Sequence, residues 1–154
     1  MARTYRLTSA QRFANSMFRL LTRLGIGARY RYVLTVPGRR SGLPRSTPVD
    51  VMAVGGERYL VAPYGVVNWV RNVRTATELT LSRAGKVATF TAEEVRGEAA
   101  APVIRAYLKH VPVTRAYWDV GVDASDAELA GETSRHPVFR LTACPDPSAA
   151  HDAS

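Results

Sequence analysis

Cysteine is nearly absent from this chain. Cys144 is the single thiol in 154 residues, which excludes an internal disulfide and any cysteine-rich zinc site. No run approaches 18 consecutive apolar residues, so no helix spans a membrane. Met1-Ala-Arg-Thr-Tyr-Arg6 has no apolar stretch behind its basic residues, which argues against secretion and for a cytoplasmic location. His110, His136 and His151 show no metal-ligand spacing, no internal repeat is visible, and no nucleophile–His–acid arrangement emerges. Acidic residues are missing from the first 49 positions: Asp50 is the first. Before it stand ten arginines, Arg3, Arg6, Arg12, Arg19, Arg23, Arg29, Arg31, Arg39, Arg40 and Arg45. From Asp50 onward 13 acids face 11 bases, so the net charge of +8 is concentrated in one third of the sequence. A charge serving only solubility would be spread out; this one points to an anionic partner.

A hydrophobic fraction of 46% and a charged fraction of 22% are those of a globular protein with one domain, residues 1–144, followed by a small, polar and disordered tail over 145–154. Thr8-Ser-Ala-Gln11 reads as a capping box opening a helix over about 8–25, with Gly25 as its cap. Phe13, Met17, Leu20, Leu21 and Leu24 form its apolar stripe, and Arg12, Arg19 and Arg23 share another face. Two readings follow: a surface helix packed on the domain, or a basic amphipathic helix touching anionic lipid.

The pattern then changes to period two. Strands are expected over Tyr32–Val36, Ser46–Val54 (Val49, Val51 and Ala53 on one face), Arg58–Ala62, around Leu79 and Leu81, over Lys86–Glu94 and over His136–Thr142. Pro48 implies an edge or a bulge. Gly55-Gly56 and Ala84-Gly85 are hairpin turns. Short helices are expected over Asn68–Thr75, about Glu98–His110 and Ser125–Gly131. Hairpin-linked strands with late helices describe a mainly β (α+β) fold, a six-stranded antiparallel barrel, and argue against a parallel Rossmann sheet.

The stretch Leu34-Thr-Val-Pro-Gly-Arg-Arg-Ser-Gly-Leu-Pro-Arg-Ser-Thr-Pro-Val49 carries the most chemistry. Gly38 and Gly42 bracket Arg39, Arg40 and Ser41 in a turn whose backbone N–H groups can converge on an anion. Guanidinium forks and a hydroxyl add hydrogen bonds suited to phosphate or carboxylate, and Arg45 is near enough to join them. A solvated basic hairpin is the other reading of the same residues.

The pattern Thr35-x-x-Gly38-Arg39-Arg40-Ser41-Gly42-x-Pro44-Arg45-x-x-Pro48 resembles that of the deazaflavin-dependent nitroreductase family. Tyr59-Leu-Val-Ala-Pro-Tyr-Gly65 and Asn68-Trp-Val-Arg-Asn72 follow in the same order, and the resemblance runs from about Leu20 to Leu141. It implies a split β-barrel and, as cofactor, coenzyme F-420, an 8-hydroxy-5-deazaflavin with a phosphate and an oligoglutamate tail; FMN, with one phosphate, would use fewer arginines. By the resemblance, Gly38, Arg39, Arg40 and Ser41 hold the anionic tail, while Arg45, Thr47, Pro48 and Val49 line the groove. Ala62, Pro63, Tyr64 and Gly65 border the phosphate and ring, and Trp69, Val70 and Asn72 reach the cofactor from a helix start. The family often has Ser and Lys where this chain has Tyr64 and Gly65, so one cation is lost and Tyr64 either stacks on the ring or partly fills the groove.

The resemblance further implies an oxidoreductase passing a hydride to a small unsaturated, quinone-like or nitro acceptor. Tyr117, within a cluster of Tyr107, His110 and Trp118, matches a substrate-facing tyrosine, with Tyr64 the second catalytic candidate; Thr114 stands where another such tyrosine would be. Packing of these rings onto the barrel is the alternative for each. A homodimer is a further expectation, by analogy with split barrels. The competing function is a fatty-acid or lipid binder on the same barrel; an RNA-binding module rests on charge alone, with no RNP-like or KH-like motif beside it.

Overall fold

In a computed structural model, residues 30–145 are described. The helix expected over about 8–25 and the tail beyond Pro145 lie outside them. Six strands, β1 (Arg31–Pro37), β2 (Pro44–Val54), β3 (Glu57–Val61), β4 (Leu79–Arg83), β5 (Lys86–Val95) and β6 (Val138–Ala143), pair antiparallel as a closed barrel in the order β1-β2-β3-β6-β5-β4. Among the described residues three α-helices accompany them: α1 (Asn68–Thr75), α2 (Ala101–His110) and α3 (Asp126–Gly131). Between β2 and β3, Gly55 and Gly56 both take positive φ, +60° and +79°, the conformation whose twist matches that of the flanking strands.

Alternation along each strand builds two cores. Leu34, Val36, Val49, Val51, Leu60, Leu79, Leu81, Phe90, Phe139 and Leu141 fill the barrel, and Val70 and Val73 of α1 plug one end. On the outer surface Met52, Tyr59, Val61 and Val138 meet Ile104, Tyr107 and Leu108 of α2. Strand β2 is therefore buried on both faces over Val49–Met52. The expected inward face of Val49, Val51 and Ala53 is corrected at its last member: Ala53 is exposed, because it has reached the rim of the barrel beside the turn. The helix expected from about Glu98 opens instead as a 3-10 turn, Gly97–Ala100, before α2 proper.

Asp50 lies under α2 and is almost fully buried. Arg31 Nε approaches its carboxylate to 2.7 Å, and the Tyr107 hydroxyl donates to it at 2.7 Å. Burial pushes the carboxyl above its ordinary pKa, and the guanidinium opposes that shift. This cluster fixes α2 to the sheet, and it shows where Tyr107 is used: in the core.

The pairing registers also shape the barrel mouth. Strand β1 pairs with β4 only over Val33–Thr35, and β2 pairs with β3 only over Asp50–Val54. The remainder, Val36–Pro37 against Pro44–Arg45, projects as a two-stranded arm. Pro48 lies where β2 has β1 on one side and no strand on the other, so its missing N–H interrupts no ladder. The expected edge is there.

Candidate cofactor-binding groove

Between this arm and the start of α1 lies a groove of about 1000 Å³. Ten of the residues expected at a cofactor site line it: Gly38, Arg39, Arg40, Ser41, Arg45, Thr47, Pro48, Tyr64, Trp69 and Asn72. The others do not. Val49, Ala62 and Val70 are buried in the barrel core, Pro63 is buried as well, and the half-buried Gly65 and Tyr117 are not part of the groove lining. The lining residues that the sequence left unassigned are Arg31, Val36, Ser46, Val66, Val67, Asn68, Arg71 and Val113. Arg71 lies inside the Asn68–Asn72 motif and Val66–Val67 bridge two motifs, so adjacency could have found them. Val113 arrives from a distant turn and carried no signal.

The arm's tip is organised by its own backbone. Gly38 N–H donates to Leu43 O and Gly42 N–H to Gly38 O, both at 2.8 Å, while Leu43 N–H donates to Ser41 Oγ at 3.2 Å. The tip is held to α1 through Asn72, whose Oδ1 accepts from Arg39 N–H at 3.1 Å and from Arg39 Nη1 at 3.0 Å. The amides of Gly38, Arg39 and Gly42 are thus committed inside the protein, and the expected convergence of these N–H groups on an anion is corrected. The anion-binding capacity lies in side chains. Asn72 positions the loop.

Among the described residues, five arginines line the groove, Arg31, Arg39, Arg40, Arg45 and Arg71, and no Asp or Glu does. Arg31 is shared with Asp50 and Arg39 with Asn72. Arg40, Arg45 and Arg71 have no ion-pair partner among the described residues. Helix α1 opens onto the same space: its cap residue Val67 offers no side-chain oxygen, and its first turn carries no acid. The positive end of that helix is left for a ligand. Val66, Val67 and the half-buried Trp69, tilted against Phe139 at 6.1 Å, supply an apolar wall. Tyr64 is 38% exposed on the wall. It leans edge-on against Tyr117, with centroids 5.0 Å apart, and leaves the groove open.

Thr114 is buried, its hydroxyl turned onto Val111 O at 3.0 Å, and His110 is exposed on the far end of α2. Cys144 extends β6, its N–H bonded to Thr89 O at 2.9 Å.

Cations without counter-ions beside a flat apolar wall suit a phosphate-bearing aromatic cofactor, and the comparison with known families is decisive. Residues 10–124 match the family described as F420H(2)-dependent quinone reductase. The chain belongs to that family. It is an oxidoreductase dependent on coenzyme F-420, and its groove chemistry fits that group. No curated protein matches the chain. Among solved structures, one described as an F420-H2 dependent reductase (FDR-A) is 21% identical, covering 74% of this chain and 95% of its own, with a TM-score of 0.52. A NimC/NimA family protein from Clostridium acetobutylicum is 15% identical, covers 73% of each chain and gives a TM-score of 0.51. A putative pyridoxamine 5′-phosphate oxidase from Listeria innocua is 11% identical, covering 76% and 86%, with a TM-score of 0.50. At these identities the solved structures show that this quinone reductase relative shares the split-barrel fold, and no more.

Proposed function

We propose that the groove holds coenzyme F-420 by its anionic tail and that the chain reduces a small quinone-like acceptor. The observation that carries this is the groove's lining: five arginines and no carboxylate among the described residues, next to Trp69 and the start of α1. Arg40, Arg45 and Arg71 bind phosphate and carboxylate oxygens through charge-assisted forks. Arg39, held by Asn72, fixes the arm that carries Arg40. Trp69 with Val66 and Val67 flanks the ring and excludes water from it. When bound, the reduced deazaflavin supplies the hydride. Tyr64, whose ring borders the groove, donates a hydrogen bond to the acceptor oxygen as negative charge develops there, with Tyr117 holding it from behind.

A single phosphate would leave several of these arginines unused, which weighs against FMN. A fatty-acid binder needs an apolar tunnel, and the arginine lining weighs against that reading too.

A fluorescence titration of the protein with F-420 beside FMN tests the proposal. Micromolar or tighter binding of the deazaflavin, with FMN far weaker, is expected, followed by F-420 oxidation when a soluble benzoquinone is added to the reduced complex. Preference for FMN, or binding of neither, overturns it.

A further inference from the structure

Behind the tyrosine wall is a buried polar cluster that the proposed chemistry does not use. His136, only 5% exposed, sits just before β6. Its Nδ1 lies 3.1 Å from the carbonyl oxygen of Ala62. A carbonyl only accepts, so Nδ1 carries the hydrogen and donates. Ala62 is two residues before Tyr64. Its N–H donates to Pro137 O at 2.9 Å, so both its polar groups are held from the His136–Pro137 segment. The other face of the imidazole stacks on Trp118, with centroids 3.9 Å apart and planes 21° off parallel. Trp118 directly follows Tyr117. One ring therefore joins the two segments that bring Tyr64 and Tyr117 together edge-on.

Glu132 lies beside the ring, its Oε2 3.5 Å from Nε2, and its other oxygen accepts from Arg135 Nη2 at 2.6 Å. Arg135 also pairs with Asp119, the residue after Trp118. Gly65 takes φ +90° with a virtual Cβ 3.3 Å from Arg135 O, so the loop after Tyr64 lies against the same segment. Burial depresses the pKa of His136, which favours the neutral ring and a fixed tautomer.

We propose that His136 is a positioning residue: through Ala62 O on one side and the Trp118 ring on the other, it sets the Tyr64–Tyr117 pair at the acceptor side of the groove. The proposal rests on the reading of that pair given above. It separates geometry from affinity, because the arginines that hold the cofactor are on the arm and α1, outside the segments that His136 joins.

Two variants divide its contacts. His136→Phe keeps a ring against Trp118 and loses the bond to Ala62; His136→Asn keeps an N–H near the Nδ1 position and loses the stack. In the free protein, ring-to-ring nuclear Overhauser effects between Tyr64 and Tyr117 are expected in the wild type, lost in His136→Phe and retained in weakened form in His136→Asn. With benzoquinone as acceptor, His136→Phe is expected to lower kcat about tenfold while the F-420 Kd stays within about twofold, the pattern of misplaced rather than missing groups. An unchanged Tyr64–Tyr117 contact and kcat in folded His136→Phe would overturn the proposal. If that variant does not fold, a folded His136→Asn whose Tyr64–Tyr117 contact and kcat equal those of the wild type overturns it instead. Failure of the wild type to bind F-420 sinks the functional reading alone, because the ring contact is read without cofactor.

Discussion

Along β2, Val49 to Met52 are buried on both faces, whereas Pro44 to Ser46 stand exposed on the arm, Arg45 and Ser46 lining the groove. The same contrast separates two sets of arginines. In the packed region Arg31 meets Asp50, which in turn accepts from Tyr107, and Arg74 meets Glu94 through two hydrogen bonds at 2.8 and 3.0 Å. On the arm and the start of α1, Arg40, Arg45 and Arg71 face open space that no acid among the described residues lines. Where the chain supplies counter-ions, a guanidinium stabilises the fold. Where it withholds them, the cation is available to a ligand. Stability and binding are thus divided between the two regions, and substitutions in one should leave the other's property nearly unchanged.

The sharpest test of that division is Leu108→Ala, which empties a fully buried site under α2. A loss of about 2–5 kcal/mol in unfolding free energy is expected, because the cavity adds to the lost transfer energy. Denaturant unfolding measures it. At temperatures where the variant is folded, its F-420 Kd should match the wild type; a weakened Kd would mean that the two regions are coupled.

The reciprocal change is Arg40→Ala with Arg45→Ala. Loss of two charge-assisted contacts predicts a rise in F-420 Kd of about tenfold to a thousandfold, at about 1.5–3 kcal/mol per contact and less than full additivity. The thermal midpoint should barely move, since neither side chain has a partner in the described structure. A large fall in stability with unaltered affinity would invert the comparison.

The smallest effect concerns the pin between α1 and β5. The Arg74 fork, with Arg96 at 3.1 Å, holds the Glu94 carboxyl below its ordinary value of 4.5. A depressed carboxylate contributes stability above its unfolded pKa and loses that contribution as pH falls through the lower folded value. Unfolding followed from pH 7 down to about 3 should therefore show Glu94→Gln less stable by about 0.5–1 kcal/mol at pH 7, the difference vanishing at the acid end. A gap that stays constant with pH would show that packing, not charge, holds the pair.

Much of this was legible in the chain. Period-two alternation in Leu79–Leu81 and Phe90, the Gly55-Gly56 turn and the Asn68–Thr75 helix are local signals, each set by backbone conformation or by which face meets the core, and each stands where expected. The site was legible where residues are contiguous: Gly38 to Arg45 on the arm, Trp69 and Asn72 on α1. It was misread where the role depends on a distant partner. The amides of Gly38 and Gly42 turn inward because Leu43 and Gly38 carbonyls take them. For Tyr107 the packing alternative holds, because Asp50, 57 residues earlier, accepts its hydroxyl.

The strands, the cation-rich first third and the resemblance to the family could be read from the chain alone, because alternation, charge and contiguous motifs are local features. Long-range packing left Arg40, Arg45 and Arg71 without an ion-pair partner among the described residues, placed Val49, Ala62 and Val70 in the core, and set His136 between Ala62 and Trp118. The physical reason is that a charge or a hydrogen-bonding group is defined by its partner. Partners separated by dozens of residues are chosen by strand register and helix docking, which no local pattern encodes.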